Sequence, residues 1–347
     1  MHIKSFLKLL FLLFTIVIVF EWIEYSLAPI LIWSQLFRFP DSVRILVVGD
    51  PQLLGYSYTP SSLLGYVFRW DADQYVKKTF STAYKYFNPN LTIFLGDNFD
   101  EGEIASDVEF VEYFQRFQNV FSEADFKKAI IIPGDNDIGG EFQPPQKEFE
   151  RRFDMHFRDD IIMRYEFLEF VKVNYITHSN DYQVASNESL DAFRIVLSHF
   201  PLTPSYSSFI SKVIPYLQPH IIISAHDHKS EHVISNRKTG IIVRTSSSLD
   251  FTSCTLNISE ELIHEIIVPT CSYRMGTSKM GYGALEISKS GEVKYTVLWL
   301  PSRFRQLFIY LFILCCCLFY AVFVFWKKIV GRKPNFSRQK KSSILPW

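Results

Sequence analysis

Cysteine is scarce in this sequence of 347 residues, which contains five. Three of them, Cys315 to Cys317, lie in one apolar run near the C-terminal end, so the rest of the chain holds only Cys254 and Cys271. Two cysteines can form only one disulfide bond, so the sequence excludes a small disulfide-rich domain. The sequence leaves open whether Cys254 and Cys271 pair in an oxidising compartment or remain free thiols.

Net charge is also absent, because 36 basic residues balance 36 acidic residues. Without a basic excess, the composition gives no indication of a nucleic-acid partner, and we predict none. The charge is unevenly distributed, since residues 327–347 contain seven Lys or Arg and no acid. The remainder of the chain is therefore mildly acidic.

Two apolar stretches frame the chain. Leu307–Phe325 contains 19 consecutive uncharged residues, enough to span the core of a bilayer, and Lys327 and Lys328 follow it. Leu9–Phe20 is a shorter apolar run that ends at Glu21. We interpret it as an uncleaved anchor rather than a cleaved signal peptide.

Basic residues flank the outer end of each apolar stretch, which predicts that both termini are cytosolic and that the segment between them is lumenal. The predicted division is an N-terminal membrane anchor with a short cytosolic end over 1–33, a lumenal domain over 34–305, a transmembrane helix over 306–326 and a basic cytosolic tail over 327–347. Under this topology the sequons at Asn187 and Asn257 are candidate glycosylation sites.

The first half of the lumenal domain alternates between strand and helix patterns. Apolar runs predict buried strands at Val43–Val48, Leu91–Leu95 and Ala129–Ile132. Apolar residues at helical spacing predict helices at Asp71–Phe87 and Ile104–Phe121 between them. This alternation is typical of βαβ units with a parallel sheet.

The second half is rich in strand patterns. Helices are predicted at Pro145–Phe157 and Ser208–Leu217. Strands are predicted at Tyr165–Phe170, Val171–Tyr175, Arg194–Leu197, Ile221–Ser224, Ile241–Arg244, Ile263–Val268, Gly283–Ile287 and Val293–Leu300. The sequence therefore predicts a mixed α/β sandwich with a β-rich second half.

Five predicted strands end in side chains that can bind metal ions. The clusters are Asp50 and Gln52 in GDPQ, Asp97 and Asp100 in GDNFD, Asp135, Asn136 and Asp137 in PGDND, His199 in SHFP, and His226 and His228 in AHDH. The carboxyl ends of strands are where open α/β sheets bind ligands. Carboxylates followed by histidines suit a site in which one carboxylate bridges two metal ions ~3.5–4 Å apart.

The order of these clusters resembles that of the calcineurin-like metallophosphoesterases, and the resemblance extends from about Val43 to Leu300. Three longer motifs are similar to those of a membrane-anchored branch that remodels glycosylphosphatidylinositol (GPI) anchors in the endoplasmic reticulum (ER). They are GDNFDEG at Gly96–Gly102, PGDNDIGGE at Pro133–Glu141 and VPTCSYRMG at Val268–Gly276. The resemblance implies an α/β fold, a four-layer α-β-β-α sandwich with two mixed sheets, flanked by N- and C-terminal transmembrane helices.

The resemblance also implies a ligand set. One metal ion would be bound by Asp50, Gln52, Asp97 and His228. The other would be bound by Asp97, Asp135, His199 and His226, so that Asp97 bridges the two ions. The implied catalytic positions are Asp97, Asn136 and His199, and Asp100 would orient a ligand or a turn.

Substitutions distinguish this chain from the usual family pattern. Gln52 replaces a His and Asp135 replaces an Asn, and both changes make the site richer in oxygen. Oxygen ligands favour harder ions over zinc, so we expect two divalent ions and predict that they are manganese. Asn136 replaces the His that usually protonates the leaving group, which removes the expected general acid. Ala225 replaces a Gly, which is a small change.

The implied reaction is metal-assisted removal of ethanolamine phosphate from a mannose of GPI anchors in the ER lumen, which would support ER exit of GPI-anchored proteins. The implied partners are GPI-anchored proteins or their glycan, the ER membrane and ER cargo-export machinery. The expected location is the ER membrane, with cycling to the early Golgi as a further option.

Two alternative functions stay open. One is a non-catalytic GPI-glycan receptor or cargo-sorting factor, motivated by Gln52 and Asn136. The other is a phosphoesterase with another membrane-linked substrate.

Overall fold

The computed structural model describes residues 3–33, 39–141, 143–157, 160–185, 192–205, 207–247 and 253–330. The chain divides into two compact units, Met1–Ser302 and Arg303–Trp347. The candidate glycosylation site at Asn187 lies outside the described residues, as does most of the basic tail. Cys254 and Cys271 are both free thiols.

The first unit begins with three consecutive helical stretches. They are α1 (Ile3–Ile18), a π-helix (Val19–Ile23) and α2 (Glu24–Leu31). Many of their apolar side chains are exposed, whereas Tyr25 and Ala28 of α2 are buried against the rest of the unit. The predicted N-terminal anchor therefore corresponds to helical structure, with its longest regular helix, α1, reaching 16 residues.

The first sheet has six strands. In chain order they are β1 (Ser42–Val48), β2 (Leu91–Leu95), β3 (Ala129–Ile132), β10 (Cys254–Leu256), β12 (Gly281–Ser288) and β13 (Val293–Trp299). Their spatial order is β10-β13-β12-β1-β2-β3. The pairs β1-β2 and β2-β3 are parallel and the others are antiparallel, so the sheet is mixed. Every residue of β2 and β3 is buried, as expected for continuous apolar strands.

The second sheet has seven strands. In chain order they are β4 (Ile162–Tyr165), β5 (Leu168–Lys172), β6 (Phe193–Leu197), β7 (Ile221–Ser224), β8 (Glu231–Asn236), β9 (Ile242–Ser247) and β11 (Leu262–Ile267). Their spatial order is β4-β5-β6-β7-β11-β8-β9. The central pairs β5-β6, β6-β7 and β7-β11 are parallel and the outer pairs are antiparallel, so this sheet is also mixed.

Helices cover the outer faces of the two sheets. The remaining helices of this unit are α3 (Leu63–Phe87), α4 (Asp107–Val120), α5 (Asp135–Ile138), α6 (Lys147–His156) and α7 (Ile210–Leu217), with 3-10 turns at Asp181–Val184 and Tyr273–Met275. Side chains from both sheets share one buried apolar cluster, so the sheets face each other. Phe80 of α3 and Phe117 of α4 contact Phe94 of β2, and α7 packs on the second sheet. The predicted α/β sandwich with two mixed sheets is confirmed.

The bounds of several elements differ from their predictions. A single strand over Tyr165–Phe170 is wrong, because the chain turns at Glu166, where φ is 52°, and Tyr165 pairs with Leu168. The strands β8 and β10 were not predicted, since β8 mixes polar and apolar residues and β10 has only three residues. Helix α4 begins at Asp107 because Ser106 caps it, accepting a hydrogen bond from the Glu109 amide at 3.3 Å.

Helix α3 begins eight residues before its predicted start at Asp71. The additional turns, Leu63–Trp70, continue the helical spacing of apolar residues but leave those residues exposed. The prediction followed the buried residues of the helix and therefore missed its exposed beginning.

The second unit contains α8 (Arg303–Val330). Within the described part of the chain, Arg303–Lys327 is the one helix that is long and apolar enough to cross a membrane. It includes the predicted span Leu307–Phe325. The membrane crossing by α8, the N-terminal anchor and the four-part division of the chain stay predictions.

Candidate metal centre

The carboxyl ends of five strands meet at one edge of the sandwich. Strands β1, β2 and β3 are followed by Asp50, Asp97 and Asp135, whose side chains are all buried. Strands β6 and β7 of the second sheet are followed by His199 and His226. The His226 amide donates to Asp50 Oδ1 at 3.2 Å, which joins the ends of the two sheets. Parallel strands place the residues after their carboxyl ends side by side, and the register of both sheets does this here.

These five side chains form two groups that can each hold a metal ion. Asp135, His199 and His226 form one group, and Asp50, Asp97 and His199 form the other. Within each group the ligand atoms lie within 4.8 Å of one another. His199 is common to both groups, whereas the sequence predicted that Asp97 is the shared residue.

His199 is held with one ring nitrogen directed at the carboxylates. Its Nδ1 donates to the carbonyl oxygen of Leu95 at 2.7 Å. Its Nε2 lies 2.9 Å from Asp135 Oδ1 and 3.5 Å from Asp97 Oδ1. The bond to Leu95 fixes a proton on Nδ1, so Nε2 is the atom available to bind a cation.

Charge in the cluster shifts the titration of its members. Burial disfavours protonated His199, but the carboxylate of Asp97 and the hydrogen bond to Asp135 outweigh burial and raise the pKa of His199 to about 10. Burial also opposes ionisation of Asp135, yet its hydrogen bonds with His199 and His226 lower its pKa below the ordinary value. Protonated His199 thus partly neutralises the buried carboxylates. A bound metal ion would neutralise them in its place.

Asp97 is surrounded by hydrogen-bond donors. Its Oδ1 accepts from the Asn136 amide at 3.0 Å. Its Oδ2 accepts from Gln52 Nε2 at 2.8 Å and from Asn136 Nδ2 at 3.1 Å. Burial raises the pKa of Asp97 well above its ordinary value. Gln52 and Asn136, the two residues that stand where the family usually has histidine, therefore both donate hydrogen bonds to Asp97, the carboxylate predicted to bridge the ions.

Asp50 carries the clearest sign of a missing charge partner. It is fully buried, and its Oδ2 has no hydrogen-bond partner within the described part of the chain. Burial raises the pKa of the Asp50 carboxyl. A buried carboxylate oxygen without a partner is costly unless a cation neutralises it. Carboxylates with imidazole nitrogens are a donor set for divalent metals, so the residues fit the implied ions.

Two predicted residues lie beside this cluster. His228 is partly exposed and belongs to neither of the two groups. Asp100 is also partly exposed, and burial and the charge of Glu101 raise its pKa to about 6 against the opposing charge of Arg274. The full set of seven predicted ligands stays a prediction.

The loops that hold the site use an uncommon backbone conformation. In the described residues, ten non-glycine residues have a positive φ, and five of them are predicted ligands. These are Asp50, Gln52, Asp97, His226 and His228, with φ between 39° and 66°. Such residues are strained by roughly 1–3 kcal/mol each, and this strain typically occurs at functional sites.

Sequence reasoning missed the residue that joins two of the loops. Asp137 was considered a potential ligand, but its carboxylate accepts hydrogen bonds from the amides of Asn98, Phe99 and Gly134 at 3.0–3.1 Å. It also accepts from Asn98 Nδ2 at 3.0 Å. The available signal was its position three residues after Gly134, where α5 begins and a carboxylate caps the helix.

Comparisons with known proteins show which sequences this chain is similar to. A sequence profile described as calcineurin-like phosphoesterase matches residues 43–230. Cell division control protein 1 of Saccharomyces cerevisiae is 23% identical over 295 residues, which cover 71% of this chain and 56% of that protein. A Metallophosphoesterase 1 homolog of Drosophila melanogaster is 27% identical over 154 residues, which cover 43% of this chain and 40% of that protein.

The chain spans about half of the length of these curated relatives. Among solved structures, a purple acid phosphatase from yellow lupin (Lupinus luteus) matches with a TM-score of 0.45 and 10% identity. That match covers 72% of this chain and 50% of the phosphatase.

Proposed function

Since the chain belongs to the calcineurin-like phosphoesterase family, we propose that it is a metal-dependent phosphoesterase. The observation that carries this proposal is the convergence of two potential metal-binding groups, from five strands and both sheets, on His199. The relative called Metallophosphoesterase 1 homolog supports the same activity class.

The proposed centre would hold two divalent ions. A single imidazole nitrogen binds one ion, so His199 would serve the ion bound by Asp135 and His226. Asp50 would bind the other ion, Asp97 would contribute an oxygen to each, and Gln52 and His228 are the nearby residues that would complete the coordination. The excess of oxygen donors in this set supports manganese as the metal.

The protein's own side chains would position the reacting groups. Bound divalent ions would supply Lewis acidity toward the phosphoryl oxygens and lower the pKa of the attacking water. Asn136 holds Asp97 through two hydrogen bonds, and its carboxamide has no proton to transfer at neutral pH. The proton for the leaving alcohol therefore comes from solvent in this proposal.

The proposed substrate is a phosphodiester attached to a lipid, namely ethanolamine phosphate on a mannose of a GPI anchor in the ER lumen. The motifs at Gly96–Gly102, Pro133–Glu141 and Val268–Gly276 support this choice. The apolar helix α8 supports it as well, because confinement to one membrane raises the rate at which enzyme and substrate meet. Removal of the group would support ER exit of GPI-anchored proteins through cargo-export machinery, from the ER membrane or an early Golgi location.

The test uses the full-length chain in lipid nanodiscs with manganese and a GPI glycolipid that carries ethanolamine phosphate. The variant Asp97→Asn is expected to lose more than about 100-fold in rate, because it removes the carboxylate that would bind both ions. The variant Asp125→Asn changes an exposed carboxylate in a turn and is the matched control, with an unchanged rate. Release of ethanolamine phosphate by Asp97→Asn at the wild-type rate would contradict the mechanism.

A second function is favoured by the donors around Asp97. Gln52 and Asn136 supply three hydrogen bonds to this carboxylate, an arrangement that also stabilises the fold without ions. The chain would then be a non-catalytic receptor for GPI glycans. Fewer than one metal ion per chain at saturating manganese, together with glycan binding, would favour the receptor over the enzyme.

A further inference from the structure

The first two turns of α3 present an apolar face to solvent. Leu63, Tyr66, Val67 and Trp70 are spaced i, i+3, i+4 and i+7, which places them on one side of the helix. Their exposed fractions range from 43% to 78%. We call these four residues the α3 face. A continuous apolar stripe of this kind marks a binding surface, whereas single exposed apolar residues are ordinary.

Rotation of the helix cannot bury this face, because the following turns are fixed in the core. Ala72, Tyr75 and Val76 are buried, and Tyr75 donates to the carbonyl oxygen of Pro301 at 2.9 Å. The exposure of the α3 face is therefore a property of the fold, and none of the described residues of this unit covers it.

The composition around the α3 face suits a membrane interface. Residues 51–70 contain no acid and a single basic residue, Arg69. The Arg69 guanidinium lies 4.6 Å from the ring of Tyr56 and donates to Thr59, so its charge is held by the protein. Tyrosine and tryptophan are enriched where membrane proteins meet the lipid headgroups, and both occur in the stripe.

The N-terminal helices run along α3 toward the end that carries this face. Trp33, just after α2, accepts a hydrogen bond from Tyr86 at its carbonyl oxygen, near the C-terminal end of α3. Closer to the N-terminus, the ring of Tyr25 contacts Tyr75 at 6.1 Å. Following the chain back from Trp33 to Tyr25 therefore moves along α3 toward its first turns.

Glu21 marks the end of the apolar N-terminal run, and its Oε2 pairs with Lys78 at 2.8 Å. From this ion pair, α1 continues the same helical path with exposed apolar residues such as Phe11 and Phe14. The α3 face thus lies at the end of α3 toward which the chain runs back from Trp33 to Tyr25.

We propose that the α3 face enters the interfacial layer of the bilayer that holds α1. Its four side chains are the right length and chemistry to reach among the headgroups, and it carries no charge that would oppose insertion. The occupant of the face is therefore lipid, rather than a second copy of the chain or another protein.

This contact would hold the metal centre close to the membrane surface. Asp71, one residue after the α3 face, accepts a hydrogen bond from the Tyr273 hydroxyl at 2.7 Å. Cys271, in the same loop, donates through its amide to Gly49 at 3.0 Å, immediately before Asp50. A short chain of contacts thus links the α3 face to the metal ligands. The substrate class that fits is a phosphoester whose alcohol is anchored in the same bilayer, and this consequence rests on the proposed function.

Photo-crosslinking of the full-length chain in liposomes tests the occupant directly. Benzoylphenylalanine replaces Tyr66, and it replaces the exposed Val108 of α4 in the matched control. We expect lipid adducts at position 66 and none at position 108, as read by mass spectrometry. An adduct from position 66 to a second chain or to α8, or no adduct at all, overturns the proposal.

A kinetic test separates this contact from the catalytic proposal. The triple variant Leu63→Ser, Val67→Ser, Trp70→Ser is expected to turn over a phosphodiester lipid in liposomes at least about fivefold more slowly than wild type. Its rate on a water-soluble phosphodiester is expected to be unchanged, as are both rates of Val108→Ser. An equal loss on both substrates, or none on either, contradicts the membrane contact. If the wild-type protein hydrolyses neither phosphodiester, the proposed function is wrong. The crosslink at position 66 then still shows whether the α3 face contacts lipid.

Discussion

Replacement of Asp137 by asparagine should separate the scaffold of the metal centre from its ligands. The buried carboxylate accepts four hydrogen bonds, three at Oδ2 from Asn98 and Gly134 and one at Oδ1 from Phe99. Burial raises its pKa to about 6, so the group is ionised at neutral pH. It therefore anchors the loop after β2 to the loop after β3 with a charge.

The magnitude follows from the geometry. The best orientation of an asparagine side chain keeps its oxygen on the three donors of Oδ2 and turns its NH₂ group against the amide of Phe99. One hydrogen bond is lost, two buried donors, the Phe99 amide and the new NH₂ group, are left without an acceptor, and the charge disappears, which together cost about 2–4 kcal/mol. Alanine would leave all four donors without the acceptor and should cost about 4 kcal/mol or more.

Urea unfolding of the detergent-solubilised full-length chain measures the stability, and titration with manganese measures the affinity. Asn98 follows Asp97 and Gly134 precedes Asp135, so we also expect manganese to bind about tenfold more weakly to Asp137→Asn. The control Asp125→Asn should change the unfolding free energy by less than about 0.5 kcal/mol. If Asp137→Asn matches this control in both measurements, the reasoning is refuted.

Three further predictions concern other parts of the unit. Gly134→Ala should weaken manganese binding at least about tenfold, because the new Cβ would overlap Asp97. Burial lowers the pKa of His232 to about 4, and its Nε2 lies 3.0 Å from His264 Nδ1. As the pH falls, the unfolded chain binds a proton at His232 at a higher pH than the folded chain does. The contribution of His232 to the unfolding free energy is therefore fully present above about pH 6.5 and falls by up to about 3 kcal/mol toward pH 4. The variant His232→Phe should reduce this pH dependence. Arg152→Ala should destabilise the fold by about 2–4 kcal/mol, because its buried guanidinium donates to two backbone carbonyls before α4.

Each of these predictions has a measurable contradiction. If Gly134→Ala binds manganese with wild-type affinity, the loop of Asp97 can shift away from the new Cβ without weakening the site, which would contradict the first prediction. Identical acid sensitivity of His232→Phe and wild type, in urea unfolding at pH 7.5 and 4.5, would exclude the histidine pair as its source. A midpoint of Arg152→Ala within error of wild type would show that water replaces the guanidinium.

The buried strands were the most predictable elements. The bounds of β2, β3 and β7 agree with the predictions, because a strand buried on both faces is a continuous apolar run that polar or turn residues interrupt. The start of α3 was not predictable in the same way. Its exposed first turns have the apolar spacing of a helix but not the burial that usually accompanies it.

The candidate site was predictable as a set of residue types and only partly as an arrangement. Asp50, Asp97, Asp135, His199 and His226 follow predicted strands, and the structure brings all five together. The contacts of Asp97 with two amide side chains were not predictable, because they depend on side-chain orientations in loops with left-handed backbone.

The sequence by itself determined where the strands lie and which potential ligands follow them, since burial and residue type are local properties of the chain. Tertiary structure alone decided which atoms meet. The bond that orients His199 joins residues 104 positions apart, at Leu95, and Asp97 is held by Asn136, 39 positions away. Such contacts depend on the register of two sheets and on how the sheets stack, and neither is encoded in any short segment of the chain.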